Sequence, residues 1–168
     1  MRLLRSIMLG LVLSSGATGA GAEPVTLDVV LTTTEDISLN FQNDRQHFLT
    51  LLLREGTAAG DDVFEGAEVA EYGMHDITVG VGGEASGYIV ATTVAGDIAY
   101  FRWHLRAFFV EGNEGTSRVA NSGLWELAGG TGRFAAQRGT GSLTIGFPSK
   151  TERRYVLTGD ISPVPAPR

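Results

Sequence analysis

Hydrophobic and polar residues alternate along most of this chain with a period of two, the pattern of β-strands that bury one face. The alternating runs are short, and glycine-rich or acidic segments separate them. Few stretches have the spacing of a long amphipathic helix. We predict strands at Val25–Leu31, His47–Arg54, Val63–Tyr72, Met74–Val81, Tyr88–Val94, Asp97–Val110, Ser122–Leu127, Gly139–Phe147 and Arg153–Ile161.

The number and spacing of these strands limit the fold class. Eight or nine short strands that recur every 8–12 residues or so are typical of an antiparallel sandwich or a closed barrel. No internal repeat is evident in the sequence. The pattern therefore predicts one all-β domain and leaves these two architectures open.

Two of the predicted strands have unusual patterns. His47–Arg54 is apolar on both faces, which predicts a strand that is covered on both sides. Val63–Tyr72 carries Glu65, Glu68 and Glu71 at three-residue spacing, which fits one or two helical turns or a strand with bulges. We favour the strand, and we expect this charge run to form a solvated face.

The strand predicted around residues 100–109 has two very different faces. One face carries Phe101, Trp103, Leu105, Ala107 and Phe109, and the other carries Tyr100, Arg102, His104, Arg106 and Phe108. We favour an apolar face that fills the interior, with the arginines outside in salt bridges or a subunit contact. The alternative turns the cationic face into a pocket for an anionic or polarised organic ligand. Buried arginines need carboxylate partners, and Glu126, Glu68 and Glu71 are available by type.

A glycine-rich segment, Gly129-Gly130-Thr131-Gly132-Arg133-Phe134, separates two strands late in the chain. Its glycines allow the chain to reverse, and Phe134 can fold back over the turn as an apolar plug. Residues 130–135 also fit the dinucleotide pattern G-x-G-x-x-[GA], but such a site requires a helix directly after it. A strand-like run follows instead, and Lys150 is the only lysine, so we predict a structural turn.

This turn, followed by Arg138-Gly139, resembles the signature of the allene oxide cyclase-like and dirigent-like barrels. Looser similarity extends the resemblance over residues 49–160. It implies a single antiparallel eight-stranded, calycin-like barrel, which we predict for residues 23–161, with a β-sandwich as the alternative. Members of these families include plant cyclases of oxylipin biosynthesis and plant proteins that steer phenoxy-radical coupling.

The same resemblance bears on individual residues and on assembly. Dirigent-like proteins carry an arginine after the turn that is thought to face the pocket, which implies this role for Arg138. The alternative is that Arg138 pairs with a surface carboxylate. The plant cyclases use a cysteine, and its absence here puts the specific cyclase activity in doubt. The resemblance also implies a homo-oligomer.

The first 22 residues have the pattern of a signal peptide. Two arginines precede a short apolar run, and Ala20-Gly21-Ala22 has the small residues of a cleavage site. We predict an exported protein, periplasmic or secreted, with no membrane insertion after cleavage. Residues 162–168 contain three prolines and are predicted to form an extended C-terminal tail.

Net charge and histidine spacing argue against nucleic acid and metal as partners. The chain has 13 basic and 19 acidic residues, so loss of Arg2 and Arg5 with the signal peptide leaves 11 against 19, a net charge of −8. Such a charge disfavours nucleic acid, whose phosphates require a basic face. His47, His75 and His104 lie far apart without a paired metal-binding spacing. We predict neither a metal nor another cofactor.

Two functions of different classes fit these observations. The first, which we favour, is an exported barrel that binds an apolar or amphiphilic small molecule. The alternative is a cofactor-independent isomerase or cyclase that acts on a reactive organic intermediate in the cavity, a kind of catalysis that leaves little sequence signature. The candidate catalytic residues are Arg138, His104 and Glu126, and the candidate ligand-binding residues are Tyr100, Arg102, Trp103, Arg106 and Phe134.

Overall fold

The computed structural model describes residues 21–42, 46–59, 62–111 and 117–164 of the 168-residue chain. These residues form eight strands: β1 (Glu23–Asn40), β2 (His47–Ala59), β3 (Glu68–Thr78), β4 (Gly82–Thr92), β5 (Ile98–Glu111), β6 (Ser117–Gly130), β7 (Gln137–Gly146) and β8 (Glu152–Pro163). Each strand pairs with its neighbours in sequence, and β1 also pairs antiparallel with β8, so the sheet closes. The predicted eight-stranded antiparallel barrel is confirmed, and the sandwich alternative is wrong.

Strand boundaries differ from the predicted ones in several strands, most of all in β1 and β3. The separate strands predicted at Val63–Tyr72 and Met74–Val81 are replaced by one strand, β3, after a turn at residues 63–66. β1 continues to Asn40 through a polar stretch, with a register shift between Thr33 and Glu35. Backbone pairing with β2 supports this extension, although none of its side chains from Thr32 to Asn40 is buried.

The outer face of β2 is apolar but uncovered. Leu51 is 48% exposed, and its register partners Ile37 on β1 and Met74 on β3 are exposed as well. The expectation that β2 is covered on both sides is therefore wrong. One apolar face of β2 lines the barrel interior, and the other forms an apolar row on the outer surface. No second layer of the described chain covers that row.

One end of the barrel is filled with aromatic side chains. Phe134 is fully buried in a short 3-10 turn between β6 and β7. Its ring stacks on Phe64 at a centroid distance of 5.5 Å, and Phe64 meets Phe101 edge-on at 5.6 Å. Gly132 supports the turn with a positive φ of 52°. The segment is thus a structural turn followed by a strand, and Phe134 is the predicted plug; we call this the plugged end.

The two chain ends were predicted as a signal peptide and a tail. Residues 1–20, which hold most of the predicted signal peptide, lie outside the described residues. β8 runs to Pro163, so the predicted tail starts later than residue 162, and residues 165–168 also lie outside the described part. No helix in the described part of the chain is long and apolar enough to cross a membrane.

The plug makes a stability prediction. Replacing Phe134 with alanine should lower the free energy of unfolding by about 3–5 kcal/mol, because it opens a void in a close-packed aromatic cluster. Urea denaturation measures this change. Phe108→Ala is the matched control, since Phe108 is 46% exposed on the outer face of β5. Equal losses in the two variants would contradict the role of Phe134 as a plug.

Candidate functional site

A cavity of about 300 Å³ occupies the end of the barrel opposite the plug. Its lining comes from inward-facing residues of β2 to β8, near the start of β2, the end of β5 and the start of β8. Inward and outward positions alternate along each strand of a barrel. Apolar wall residues include Phe48, Leu52, Ile77, Leu105, Ala107 and Phe109, and polar groups include Thr50, Arg54, His75, Arg153 and Tyr155.

Four polar side chains form a connected group at the base of the cavity; we call Arg54, Glu71, His75 and Tyr155 the interior cluster. Arg54 and Glu71 are register partners on β2 and β3, and Arg54 Nη1 donates to Glu71 Oε2 at 2.9 Å. The same nitrogen donates to Tyr155 Oη at 2.8 Å, and Arg54 Nε donates to Thr33 Oγ1 at 3.2 Å. The guanidinium is therefore anchored from β1, β3 and β8.

His75 joins the cluster through the other oxygen of the same carboxylate. Its Nε2 lies 3.3 Å from Glu71 Oε1 and 3.4 Å from Arg54 Nη1. A carboxylate only accepts and a guanidinium only donates, so Nε2 cannot satisfy both neighbours in one tautomer. The two hydrogens of Arg54 Nη1 already go to Glu71 Oε2 and Tyr155 Oη, which leaves the Glu71 carboxylate as the hydrogen-bond partner of Nε2. The network thus assigns the tautomer in which His75 Nε2–H donates to Glu71 and Nδ1 carries a lone pair.

Gly73 makes this arrangement sterically possible. It lies between Glu71 and His75 on the inward face of β3, and a Cβ there would approach Glu71 Oε1 to 2.3 Å and His75 Nε2 to 3.1 Å. A residue with a side chain would push the two groups apart. The sequence Glu71-x-Gly73-x-His75 therefore places a carboxylate and an imidazole in contact along one strand.

The charges of the cluster follow from its burial and its hydrogen bonds. Burial alone would raise the pKa of the Glu71 carboxyl, but the hydrogen bond from His75 and the positive charge of Arg54 outweigh it, so the pKa lies below its usual value. Burial and the negative charge of Glu71 raise the pKa of Tyr155 well above its usual range. At neutral pH, Glu71 is therefore a carboxylate and Tyr155 is a neutral phenol.

Arg153 adds a second positive charge to the cavity wall. It precedes Tyr155 by two residues on the inward face of β8, and its guanidinium lies 4.9 Å from the centre of the Phe147 ring. Its Nη1 donates to the main-chain oxygens of Ser149, Lys150 and Glu152. Among the described residues no carboxylate forms an ion pair with it.

The electrostatics of the cavity are positive as a result. Burial and the nearby charge of Arg54 lower the pKa of the Arg153 guanidinium, which nevertheless stays protonated because arginine titrates far above neutral pH. Arg54 and Arg153 bring two positive charges, and Glu71 brings one negative charge. A negative group inside the cavity would relieve this imbalance.

The structure places the cationic face of β5 outside the barrel. Arg102 forms an ion pair with Glu126, and Arg106 Nη1 lies 2.8 Å from Glu84 Oε1, all on the exposed surface. Tyr100 and His104 are exposed on the same face. The alternative that put these residues in the pocket is therefore corrected. The apolar face buries more hydrophobic area, and the arginines keep their hydration and their surface partners.

Two other predicted ligand-binding residues lie inside but do not line the cavity. Trp103 is buried next to the interior cluster, with ring centres 5.9 Å from His75 and 6.1 Å from Tyr155. Its Nε1 is buried without a hydrogen-bond partner among the described residues. Phe134 lies in the plug at the opposite end. Neither contacts the cavity, so both ligand-binding assignments are corrected to roles in packing.

The predicted catalytic residues are not brought together at the cavity. Arg138 is exposed on the outer face of β7, close to the plugged end, and Glu126 and His104 are exposed on β6 and β5. Alternation explains the outward position of Arg138, because Gly139, Leu143 and Ile145 take the inward positions of its strand. No cavity site can be built from these three residues.

The groups that do line the cavity were not predicted as a site. Arg54 shares the inward face of β2 with Phe48 and Leu52. On β3, alternation places Glu71 and His75 on the same inward face as Val69 and Ile77. The expectation that Glu71 belongs to a solvated charge run is wrong, because its side chain is fully buried. The available signal was their spacing, because residues that stand an even number of positions from buried apolar residues on a strand share the inward face.

Searches of the chain against protein-family models, curated proteins and solved structures returned no match. Within the described residues, no group of three or more His, Asp or Glu side chains is arranged to hold a metal ion.

The buried ion pair makes a prediction about pH and stability. Glu71→Gln should lower the free energy of unfolding at pH 7 by about 3–5 kcal/mol, because it leaves Arg54 buried without a counter-charge. The folded-state pKa of Glu71 is lowered, so its contribution is present above the usual carboxyl pKa of 4.5 and is lost as pH falls through the lower, folded-state value. Urea unfolding at pH 7 and at lower pH should show the two proteins converging.

Glu126→Gln serves as the control for this prediction. Its ion pair with Arg102 is exposed, and such pairs contribute little to stability. Asp28, whose pKa is lowered chiefly by its hydrogen bond with Arg154, titrates alike in all three proteins and cancels from the differences. A Glu71→Gln penalty that stays constant down to acidic pH would contradict an ionised Glu71.

Proposed function

We propose that this barrel binds a small amphiphile, with its apolar chain in the cavity and an anionic head group at Arg153. The observation that carries the proposal is an apolar cavity whose wall holds Arg153, an arginine without a carboxylate partner among the described residues. Ligand sites are typically concave, mostly apolar and equipped with a few polar groups that fix orientation. This cavity has each of these properties.

The walls support an apolar chain of limited length. Leu52, Ile77 and Leu105 come from three different strands and face one volume of about 300 Å³. That volume is at the lower end of the usual range for ligand pockets, roughly 300–1,000 Å³. A short fatty acid such as decanoate is therefore a suitable probe.

The charges of Arg54 and Arg153 indicate which kind of head group the cavity would bind. The charge of Arg54 is already paired with Glu71, and its Nε and Nη1 also donate to Thr33 and Tyr155, which commits Arg54 to the interior cluster. Arg153 is held only by main-chain oxygens and the Phe147 ring. A carboxylate would give the half-buried Arg153 guanidinium a charge-assisted hydrogen bond.

The resemblance to allene oxide cyclase-like and dirigent-like barrels stays a prediction. The eight-stranded antiparallel barrel is the architecture that it implies. Arg138, the residue carried over from it, lies outside the cavity and has no part in the proposed binding. Export, inferred from residues 1–22, and self-association likewise stay predictions, and the proposed ligand would be one that is available outside the cytoplasm.

Filling the cavity should abolish binding. Ala107 lines the cavity, and Ala107→Trp should place an indole in the volume that the chain of decanoate would occupy. Calorimetric titration should show decanoate binding to the wild type and none to this variant. Ala128→Trp, at an exposed position on β6, is the matched control and should bind as the wild type does. Equal decanoate binding by both variants would place the ligand elsewhere.

Removing the positive charge should weaken binding of the acid more than of the alcohol. Arg153→Gln should raise the Kd of decanoate about tenfold or more, the usual effect of losing a hydrogen bond to a charged group. The Kd of decan-1-ol should change little. Arg154→Gln is the control, because Arg154 faces outward and pairs with Asp28. An equal loss for acid and alcohol would contradict recognition of the head group by Arg153.

A further inference from the structure

His75 is a cavity-lining group that the proposed binding does not use. Its Nε2 is engaged with Glu71, and its Nδ1 forms no hydrogen bond with the described residues. The His75 side chain lines the cavity and is 15% exposed, so a molecule bound in the cavity can reach its ring.

The Glu71 carboxylate prepares this nitrogen for proton transfer. It fixes the tautomer that leaves the lone pair on Nδ1, and it stabilises the imidazolium that forms when Nδ1 takes a proton. Carboxylate–imidazole pairs act as general bases in this way when the second nitrogen reaches a substrate. In this role Glu71 is a positioning residue and His75 is the group that touches the substrate.

We propose that the Glu71–His75 pair is a general base that moves a proton on a carbonyl-bearing amphiphile in the cavity. This activity rests on the proposed binding, because the same cavity has to hold the substrate. It would make the protein a cofactor-independent isomerase, with a catalytic residue different from those predicted from the sequence.

The step is balanced without an oxidant, a reductant or a co-reactant. His75 Nδ1 takes a proton from the carbon next to the carbonyl, the C–H electron pair forms a carbon–carbon double bond, and the carbonyl π pair moves to oxygen. The enolate that results is favoured by the net positive charge that Arg54 and Arg153 bring against Glu71. The imidazolium then returns a proton to the same carbon, or to the γ-carbon of an unsaturated ketone, which shifts the double bond.

The test uses 4-oxodecanoate, a stable keto acid with the head group of the proposed ligand. In D₂O, proton NMR follows the replacement of hydrogen by deuterium at the two carbons next to the ketone, and calorimetry follows binding separately. We expect the full-length wild type to accelerate exchange above the buffer rate. His75→Gln should lower the protein-dependent rate by at least about 100-fold, the usual contribution of a general base, and should still bind.

Two further variants separate catalysis from structure. His104→Gln makes the same chemical change at an exposed position on β5 and should keep the full rate. His75→Ala should lose the rate and recover part of it when free imidazole is added, which a purely structural role of His75 would not produce.

Three other outcomes would contradict the activity, the assignment to His75 or the proposed binding. Binding of 4-oxodecanoate without accelerated exchange overturns the activity and leaves the proposed binding intact. Exchange that persists in His75→Gln overturns the assignment to His75. Failure of both decanoate and 4-oxodecanoate to bind the wild type overturns the proposed binding and, with it, the activity.

Discussion

A charge can be buried inside a barrel this narrow only together with an opposite charge, and the pairing of Arg54 with Glu71 meets this constraint. The two residues are direct cross-strand partners on the inward faces of β2 and β3. Their desolvation is offset by an ion pair and by bonds to Thr33, Tyr155 and His75. The pair lies between an aromatic plug at one end and a cavity at the other, and it forms the polar base of that cavity.

Much of the fold follows from alternation along the strands. The period of two placed Phe101, Trp103 and Leu105 on the inward face of one strand, and the structure buries all three. The end of β1 and the start of β3 could not be predicted in this way. There the backbone hydrogen bonds to neighbouring strands decide the extent of the strand, and these depend on residues distant in sequence.

The candidate site was far less predictable. Arginine and histidine on β5 drew attention because they alternate with aromatic residues, yet alternation itself favoured placing them outside. Glu71 was placed on a solvated face because it belongs to a run of glutamates at three-residue spacing, and such charge runs are usually exposed. That partner, Arg54, is 17 residues away and becomes visible only when the register of β2 and β3 is known. The space that Gly73 leaves for the contact has no sequence signature of its own.

The central claim is that the cavity holds an acidic amphiphile. Native mass spectrometry of the protein purified from its own host tests this claim most directly, with the bound molecule released by denaturation and identified. The account predicts one molecule per barrel, with an apolar chain and a carboxylate or similar anionic group. A ligand-free mass that remains unchanged after incubation with a lipid extract of the host would contradict it, and the interior cluster would then have only a structural role.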